Sequence, residues 1–347
     1  MTDPLMIQEA REAPQVVRRQ ADLDLGPVLE AIRLVRPRFM ATVARGSSDH
    51  ACTFLKYAAE TQLRLPVTSA SPSVTGVYGS PPDYRGALVL AVSQSGGSPD
   101  VTETLRRARE GGALTLALVN VQGSPLAEAA EYVLPLCAGA EKAVAATKSF
   151  LAALTLGIRL LNALNADAAL ESALFNLPGM LERLLATEAQ IVRAAQALGR
   201  TQNLLVLGRG LHQGVAAEGA LKLQETAGIG ALAFSTAEFA HGPARLLAPG
   251  GLPGLRVLAF QARDASAPLT AQTYGRLRAS GVPLSVIGDP VDSADGSDDV
   301  PTPASGHRLT DPVLSTLAAQ LLIGHAAVSR GEDPDAPPGL SKVTRTH

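Results

Sequence analysis

The hydrophobic positions of this chain occur in short apolar runs that alternate with longer amphipathic segments. The runs 38–44, 87–92 and 114–120 are each followed by a stretch with helical periodicity. A short, continuously apolar run is typical of a strand buried on both faces of a parallel sheet, and helices connect such strands. The pattern therefore predicts an α/β chain built on a doubly wound parallel sheet.

This pattern begins again in the second half of the chain. The run 203–208 is followed by Arg209-Gly210, which repeats Arg45-Gly46 after 164 residues. The later apolar runs of the second half follow in the same order as those of the first half. The repeat predicts two related α/β domains. The predicted organisation is a helical arm at 1–26, a first domain at 27–166, a helical linker at 167–199, a second domain at 200–330 and a tail at 331–347.

The run 87–92 leads into Ser93-Gln94-Ser95-Gly96-Gly97-Ser98, followed by Pro99. Ser98 stands where an N-cap is expected, and Pro99 stands at the first helical position. Hydroxyl and amide donors at a helix N-terminus favour a phosphate ligand, although serines and glycines also form ordinary turns. The second half has Gln261-Ala262-Arg263-Asp264 at the corresponding place, which predicts one anion site per chain.

Three charged residues, Glu218, Lys222 and Glu225, are spaced to share one face of the predicted helix 215–225. Such a face is often a solvated stripe of salt bridges. Here the helix is otherwise apolar and follows a glycine-rich strand end, where open α/β sheets bind ligands. His241 precedes Gly-Pro and is either a turn residue or a proton-exchanging group. Together with a phosphate site, these residues would suit proton transfer next to a carbonyl.

Composition narrows the possible partners. The 347 residues are 46% hydrophobic and 18% charged, with a net charge of −2, so nothing points to a nucleic acid or a membrane surface. Cys52 and Cys137 lie far apart in sequence and are predicted to be reduced core thiols of a cytoplasmic protein. No metal-ligand cluster is visible, and Gly208-x-Gly210 lacks the third glycine of a dinucleotide fingerprint, so no cofactor is expected.

Several motifs in a fixed order identify a family resemblance. The motifs are 44–48, 93–98, 141–150, 218–225, 238–243 and 341–344, preceded by Glu9-x-x-Glu12-x-Pro14. The chain closely resembles the double-SIS sugar-phosphate isomerase family over nearly its full length. Within it, the chain is similar to the isomerase half of glucosamine-6-phosphate synthase and, more closely, to stand-alone glucosamine-6-phosphate deaminase-like proteins. The resemblance implies two tandem SIS domains, each a parallel five-stranded sheet flanked by helices in a flavodoxin-like three-layer sandwich.

The resemblance also implies roles for individual residues. Glu225 matches the base that moves a proton between C1 and C2, and Lys222 matches a lysine that assists there. His241 matches a ring-opening histidine that reaches across from a neighbouring subunit, so a homodimer with shared active sites is implied. Lys342 matches a tail lysine at the carbonyl end of the open-chain sugar, which makes the tail a lid rather than a disordered end. The implied substrate contacts are Ser47, Ser48, Ser93, Gln94, Ser95, Ser98, the Val144 backbone and Glu218.

Departures from the synthase pattern favour the deaminase-like branch. Gly97 and Ala146 replace an acidic residue and a serine, and Thr2 stands where the synthase has the catalytic cysteine of its glutamine-hydrolysing domain. We therefore expect a hexosamine or hexose 6-phosphate as substrate, without a glutaminase domain. The expected reaction converts glucosamine 6-phosphate and water into fructose 6-phosphate and ammonia.

Other activities remain open within the same fold group. They include a ketosamine-phosphate deglycase, a galactosamine-phosphate deaminase and a simple aldose–ketose isomerase. A non-catalytic phosphosugar sensor is the alternative of a different class. A sensor needs the phosphate loop but not Glu225, His241 and Lys342, and the sequence has no basic helix-turn-helix segment.

Overall fold

A computed structural model of the chain describes residues 2–248, 250–289 and 298–342. The described residues fall into two compact units. The sheet A unit comprises those within Gln15–Glu141, Lys148–Glu171 and Ser341–His347. The sheet B unit comprises those within Met1–Pro14, Lys142–Thr147 and Ser172–Leu340. The boundaries predicted from the sequence for the arm, domains, linker and tail stay predictions.

Sheet A contains five parallel strands in the order β2-β1-β3-β4-β5. The strands are β1 (Phe39–Val43), β2 (Val67–Ser69), β3 (Ala87–Ser93), β4 (Leu114–Val119) and β5 (Tyr132–Pro135). The central strands β3 and β4 are almost completely buried, because helices cover both faces of a parallel sheet. The continuous apolar sequences of β3 and β4 make burial on both faces favourable.

Sheet B repeats this arrangement, with five parallel strands in the order β7-β6-β8-β9-β10. The strands are β6 (Asn203–Gly208), β7 (Gly230–Ser235), β8 (Leu255–Phe260), β9 (Leu284–Gly288) and β10 (Val300–Pro301). Numbered within its own unit, each sheet has the order 2-1-3-4-5. The predicted fold class, two tandem parallel five-stranded sheets flanked by helices, is therefore confirmed.

The described residues also form the helices that connect and cover the strands. In chain order they are α1 (Leu5–Arg11), α2 (Ala13–Arg19), α3 (Gly26–Val35), α4 (Ser47–Leu63), α5 (Pro72–Gly76), α6 (Pro99–Glu110), α7 (Pro125–Ala129), α8 (Lys148–Asn165), α9 (Ala168–Leu185), α10 (Glu188–Gly199), α11 (Gln213–Ala227), α12 (Thr236–Ala240), α13 (Ala267–Ala279) and α14 (Asp311–Ser329). By length and composition α14 could cross a membrane, but 83% of its apolar window is buried inside the protein. It is a core helix of its unit.

The structure corrects the sequence interpretation in two loops and adds one strand. The proline- and glycine-rich residues 71–86 and the Asp-, Ser-, Gly- and Pro-rich residues 289–306 predict loops. The first range contains the short helix α5. The second contains the two-residue strand β10, and its residues 290–297 lie outside the described residues. The strand β7 has no counterpart among the predicted runs. It lies at the edge of sheet B with mostly exposed or half-buried residues, so it lacks the continuous apolar sequence of a central strand.

Both sheets have a topological switch point, between β1 and β3 in sheet A and between β6 and β8 in sheet B. In each sheet the second strand lies on one side of the first strand, and the third strand lies on its other side. Open α/β sheets bind ligands outside the carboxyl ends of the strands at such a point. The fold thus provides one candidate ligand edge in each unit.

Candidate active site

The predicted phosphate-binding residues lie at the switch point of sheet A. Strands β1 and β3 are parallel neighbours, with Val43 opposite Ala91. The loops that follow these strands therefore leave the same edge of the sheet. They carry the predicted binding residues Ser47, Ser48, Ser93, Gln94, Ser95 and Ser98, all of which are half-buried.

Backbone geometry fixes the loop after β3. Gly96 has φ +64°, and a Cβ atom there would lie 2.0 Å from Oγ of Ser124. Only glycine fits this position, because it combines a left-handed backbone with a close approach. Within the loop, Gly96 N–H donates to Ser93 Oγ at 2.9 Å, and Gly97 N–H donates to Ser95 Oγ at 3.2 Å. Both serine hydroxyls retain their own proton for donation to a ligand.

Two helices begin at this edge. Ser98 occupies the N-cap of α6 as predicted, and Gly46 occupies the N-cap of α4. Among the described residues, neither helix has a side-chain capping hydrogen bond at its N-cap. In α6 the Val101 N–H donates to Oδ1 of Asp100 at 2.9 Å. The positive end of each helix dipole still favours an anion beside these helix starts.

An ion pair joins the two loops. Arg45 donates from Nε and Nη2 to Oδ2 of Asp100, at 2.9 and 2.7 Å. The Asp100 side chain is 4% exposed, whereas that of Arg45 is 45% exposed. The pair therefore places a cation at the surface of the predicted phosphate loops and anchors it on a buried carboxylate.

The equivalent edge of sheet B is occupied by the protein's own charged groups. Asp264 Oδ1 accepts hydrogen bonds from N–H and Oγ of Ser266, just before α13. Arg263 pairs with Asp289 at 2.5 Å and contacts Asp311 at 3.5 Å. The N–H of Ser266, the N-cap residue of α13, is thus already bonded to a carboxylate of the protein. The prediction of one anion site per chain stays a prediction.

The helix α11 carries the predicted acid–base residues on one buried face. Lys222 Nζ bonds the Glu225 carboxylate and lies 3.6 Å from Oε1 of Glu218. The side chains of Glu218 and Lys222 are 3% and 2% exposed, and that of Glu225 is 23% exposed. This cluster is not a solvated stripe, because two of its three charged groups are out of water. Glu225 is its solvent-facing member.

Two more predicted site residues belong to the sheet B unit. His241 follows α12 directly and is exposed; its N–H donates to the Glu238 carbonyl at 3.0 Å. Val144 is half-buried, and its N–H donates to the Asp335 carbonyl at 3.3 Å. The Val144 carbonyl, rather than its N–H, is therefore the backbone group available to a substrate.

The predicted tail lysine, Lys342, lies in the sheet A unit and contacts a buried carboxylate. Its Nζ donates to Oε2 of Glu141 at 2.9 Å, and Glu141 also accepts from Ser149 N–H at 3.0 Å and Ser149 Oγ at 2.7 Å. Burial alone would raise the pKa of Glu141, but the Lys342 ammonium and the Ser149 hydrogen bonds hold that pKa below its ordinary value. The remaining motif residues, Val343 and Thr344, lie outside the described residues.

Sequence reasoning assigned no role to four residues that organise these sites. They are Arg45, Asp100 and Glu141, described above, and Glu9. Glu9 is buried and accepts hydrogen bonds from the N–H groups of Lys142 and Ala143, at 2.6 and 3.3 Å. It thereby holds the loop that carries Val144. The quoted motifs contain Glu9, Arg45 and Glu141, but only the tertiary structure reveals their partners.

The described part of the chain has no group of three or more His, Cys, Asp or Glu side chains that could hold a metal ion. The acid–base candidates from the sequence are the carboxylates of Glu218 and Glu225, the ammonium groups of Lys222 and Lys342, and the imidazole of His241. Carboxylate, ammonium and imidazole groups of this kind can transfer protons on a bound substrate.

Comparison with known proteins identifies relatives along almost the whole chain. A family model described as the SIS domain matches residues 34–163. The glutamine–fructose-6-phosphate aminotransferase (isomerizing) of Symbiobacterium thermophilum is 35% identical, with an alignment that covers 97% of this chain and 58% of that protein. The chain spans 50–59% of the length of such curated relatives.

Solved structures give the same relationship. A protein from Silicibacter pomeroyi described as a phosphosugar isomerase is 38% identical and superposes with a TM-score of 0.84. The alignment covers 96% of this chain and 100% of the other. A glucosamine-6-phosphate deaminase from Thermotoga maritima has a TM-score of 0.76 over 99% of this chain and 100% of the other. At 21% identity, the latter similarity concerns the fold alone.

Proposed function

The chain belongs to the SIS domain family, and from this membership we propose that it is a phosphosugar isomerase with deaminase activity. The favoured reaction converts glucosamine 6-phosphate and water into fructose 6-phosphate and ammonia. The proposal does not extend to transfer of an amino group from glutamine, because the chain spans only part of the aminotransferases to which it is similar. It requires neither a metal ion nor an organic cofactor.

The observation that carries the proposal is the buried charged cluster of α11. Glu225 reaches solvent while Lys222, 2% exposed, is fixed beside it. A carboxylate held on a rigid helix can remove a carbon-bound proton, and a fixed cation stabilises the negative charge that develops. A phosphosugar sensor would need the serine loops of sheet A but has no use for such a cluster.

The proposed reaction moves one proton from C2 to C1 and then hydrolyses an imine. In the open-chain 2-aminoaldehyde, Glu225 removes the proton from C2; the electron pair forms the C1=C2 double bond, and the carbonyl π electrons move to O1 as an enolate. The same carboxylic acid returns the proton to C1, and an N–H proton moves to O1, which leaves a hydroxyl on C1 and a ketone-level imine at C2. Water adds to that imine and ammonia leaves, so the product is the 2-ketose phosphate. No oxidant or reductant is consumed.

The serine loops of sheet A supply the proposed phosphate contacts. Donors from Ser47, Ser48, Ser93, Gln94, Ser95 and Ser98 would bind the phosphate and neighbouring hydroxyls. These contacts are made equally in the ground state and in the transition state. Their loss should therefore raise KM more than it lowers kcat.

Ring opening and subunit structure form the next part of the proposal. We assign ring opening to His241 and contact with the carbonyl end of the substrate to Lys342. We also propose that the protein forms a homodimer with shared active sites. His241 is exposed on the single chain, which makes its imidazole accessible to a second copy. A cytoplasmic location is part of the same proposal, in keeping with a phosphorylated metabolite as substrate.

An ammonia-release assay with glucosamine 6-phosphate tests the function. Wild-type protein should release ammonia and fructose 6-phosphate in equal amounts. E225Q should lose turnover while a thermal-shift titration still detects the phosphosugar, and E128Q makes the same chemical change at an exposed glutamate of α7 and should keep wild-type activity. Normal turnover by E225Q would contradict the assignment of the base.

A panel of phosphosugars separates the enzymatic alternatives. Release of ammonia from galactosamine 6-phosphate, breakdown of a ketosamine phosphate, or aldose–ketose exchange without ammonia would each replace the favoured reaction with another one. Binding of phosphosugars without turnover of any of them would indicate a sensor.

A further inference from the structure

We propose that Glu141 is a positioning residue that holds the ammonium group of Lys342 in place for the reaction. This inference rests on the proposed function, because it concerns the reaction in which Lys342 takes part. Glu141 itself is not assigned any contact with substrate. It acts through Lys342.

The carboxylate of Glu141 is held firmly in place. The Glu141 side chain is completely buried, with an exposure of 0%. Both of its carboxylate oxygens accept hydrogen bonds from Ser149, one from the N–H and one from the hydroxyl. Ser149 is the second residue of the long, buried helix α8. The carboxylate therefore sits at a helix N-terminus, where the dipole stabilises its negative charge.

The lysine side of the contact is flexible by nature. A lysine side chain carries its charge on a four-carbon stem with many rotamers. Lys342 lies outside any helix or strand, 201 residues from Glu141 in sequence, and its side chain is 23% exposed. A buried carboxylate at 2.9 Å selects one position of the ammonium group through a charge-assisted hydrogen bond.

This arrangement has a chemical purpose in the proposed reaction. A lysine that contacts a sugar carbonyl helps most when its charge is already placed, because no reorganisation is then needed in the transition state. Without Glu141, the ammonium would sample many positions, and misplacement by about 1 Å can reduce a rate by about 100-fold. Loss of Glu141 should therefore lower the rate of turnover and leave substrate binding nearly unchanged.

The first test measures the position of Lys342 without reference to activity. Purified protein is treated with a limiting amount of acetic anhydride, and mass spectrometry compares modification of Lys342 with that of the exposed Lys142. In wild-type protein Lys342 should be protected; in E141Q it should react about as fast as Lys142, whereas E128Q should keep the protection. Equal reactivity of Lys342 in wild type and E141Q would overturn the proposal.

The second test uses turnover of glucosamine 6-phosphate. E141Q should lower kcat by about 10- to 100-fold with little change in KM. In the K342M background, the additional E141Q change should have no further effect on kcat. A similar loss in both backgrounds would show that Glu141 acts independently of Lys342 and would overturn the proposal.

Two controls keep these outcomes separable. If E141Q fails to fold by circular dichroism, E141D keeps the charge on a shorter stem and should show partial protection and a partial loss of kcat. If wild-type protein turns over no phosphosugar at all, the proposed function fails. The labelling of Lys342 then decides by itself whether Glu141 holds the lysine.

Discussion

The guanidinium of Arg45 forms an ion pair with the buried carboxylate of Asp100, and this pair joins the loop after β1 to the first turn of α6. Both segments border the predicted phosphate site. The carboxylate fixes one edge of the guanidinium plane, and the remaining N–H groups belong to a side chain that is 45% exposed. Arg45 can therefore serve both the fold and an anionic ligand.

The first prediction concerns the substitution R45M. It should raise KM for a phosphosugar about tenfold, and it should lower the free energy of unfolding by about 1–3 kcal/mol, because Asp100 is left buried without its cation. Steady-state kinetics and urea denaturation measure the two effects. Partial exposure of Arg45 keeps the stability loss below that of a fully buried pair.

The double variant R45M/D100N distinguishes the two roles of Arg45. Removal of both charges should restore most of the stability, since no buried charge remains. The raised KM should persist if Arg45 contributes to anion binding. Recovery of a wild-type KM would mean that Arg45 only neutralises Asp100.

A second prediction concerns the loop after β3. G96A should weaken phosphosugar binding and lower stability by about 1–3 kcal/mol or more, because the new Cβ atom combines a left-handed backbone with a clash against Ser124. G123A is the matched control: Gly123 also has a positive φ, +75°, but nothing lies within 4 Å of its Cβ position. Equal effects of the two substitutions on binding, measured by thermal-shift titration, would argue against a packing requirement at Gly96.

Much of this architecture could be predicted from the sequence because the signals are local. Continuous apolar runs identify the central strands β3 and β4, and a change from those runs to Ser and Gly identifies the loop after β3. Spacings of four and three residues place Glu218, Lys222 and Glu225 on one helical face. Each of these features depends on neighbours within about ten residues.

The features that escaped prediction depend on distant partners or on edges. Arg45 and Asp100 are 55 residues apart, and Glu141 and Lys342 are 201 residues apart, so no periodicity relates them. The strand β7 is at a sheet edge and carries no continuous apolar run. The burial of Lys222 likewise follows from the packing around α11 and not from its spacing.

A third prediction concerns pH and His212, which precedes α11. Its ring is buried, stacks on Phe260 at a centroid distance of 6.2 Å, and bonds Ser315 Oγ through Nε2 at 3.2 Å. Burial lowers the pKa of His212 from 6.5 to about 4. The folded protein thus keeps this imidazole neutral at a pH at which the unfolded chain already binds a proton.

The sign of the effect follows from linkage. Between about pH 6.5 and pH 4 the unfolded state binds more protons at this site, so stability falls as the pH falls. Between pH 7 and pH 5, wild-type protein should lose about 2 kcal/mol more than H212N, which has no titrating ring. Urea denaturation at the two pH values measures the difference. Parallel pH profiles for the two proteins would show that His212 titrates normally in the fold.

The last prediction concerns Lys222, whose ammonium lies between the Glu218 and Glu225 carboxylates. K222M keeps an unbranched side chain of similar bulk but leaves Glu218, only 3% exposed, as a buried carboxylate without this cation. The free energy of unfolding should fall by about 3–5 kcal/mol, as when one partner of a buried pair is removed. Chemical denaturation measures this loss.

The double variant K222M/E218Q separates stability from catalysis at Lys222. Because it removes the buried negative charge together with the cation, most of the stability should return. Turnover should stay low, since Glu225 still lacks the ammonium that would stabilise charge in the transition state. Wild-type turnover by a stable K222M/E218Q protein would mean that Lys222 serves only to neutralise Glu218, and the α11 cluster would then carry catalysis through Glu225 alone.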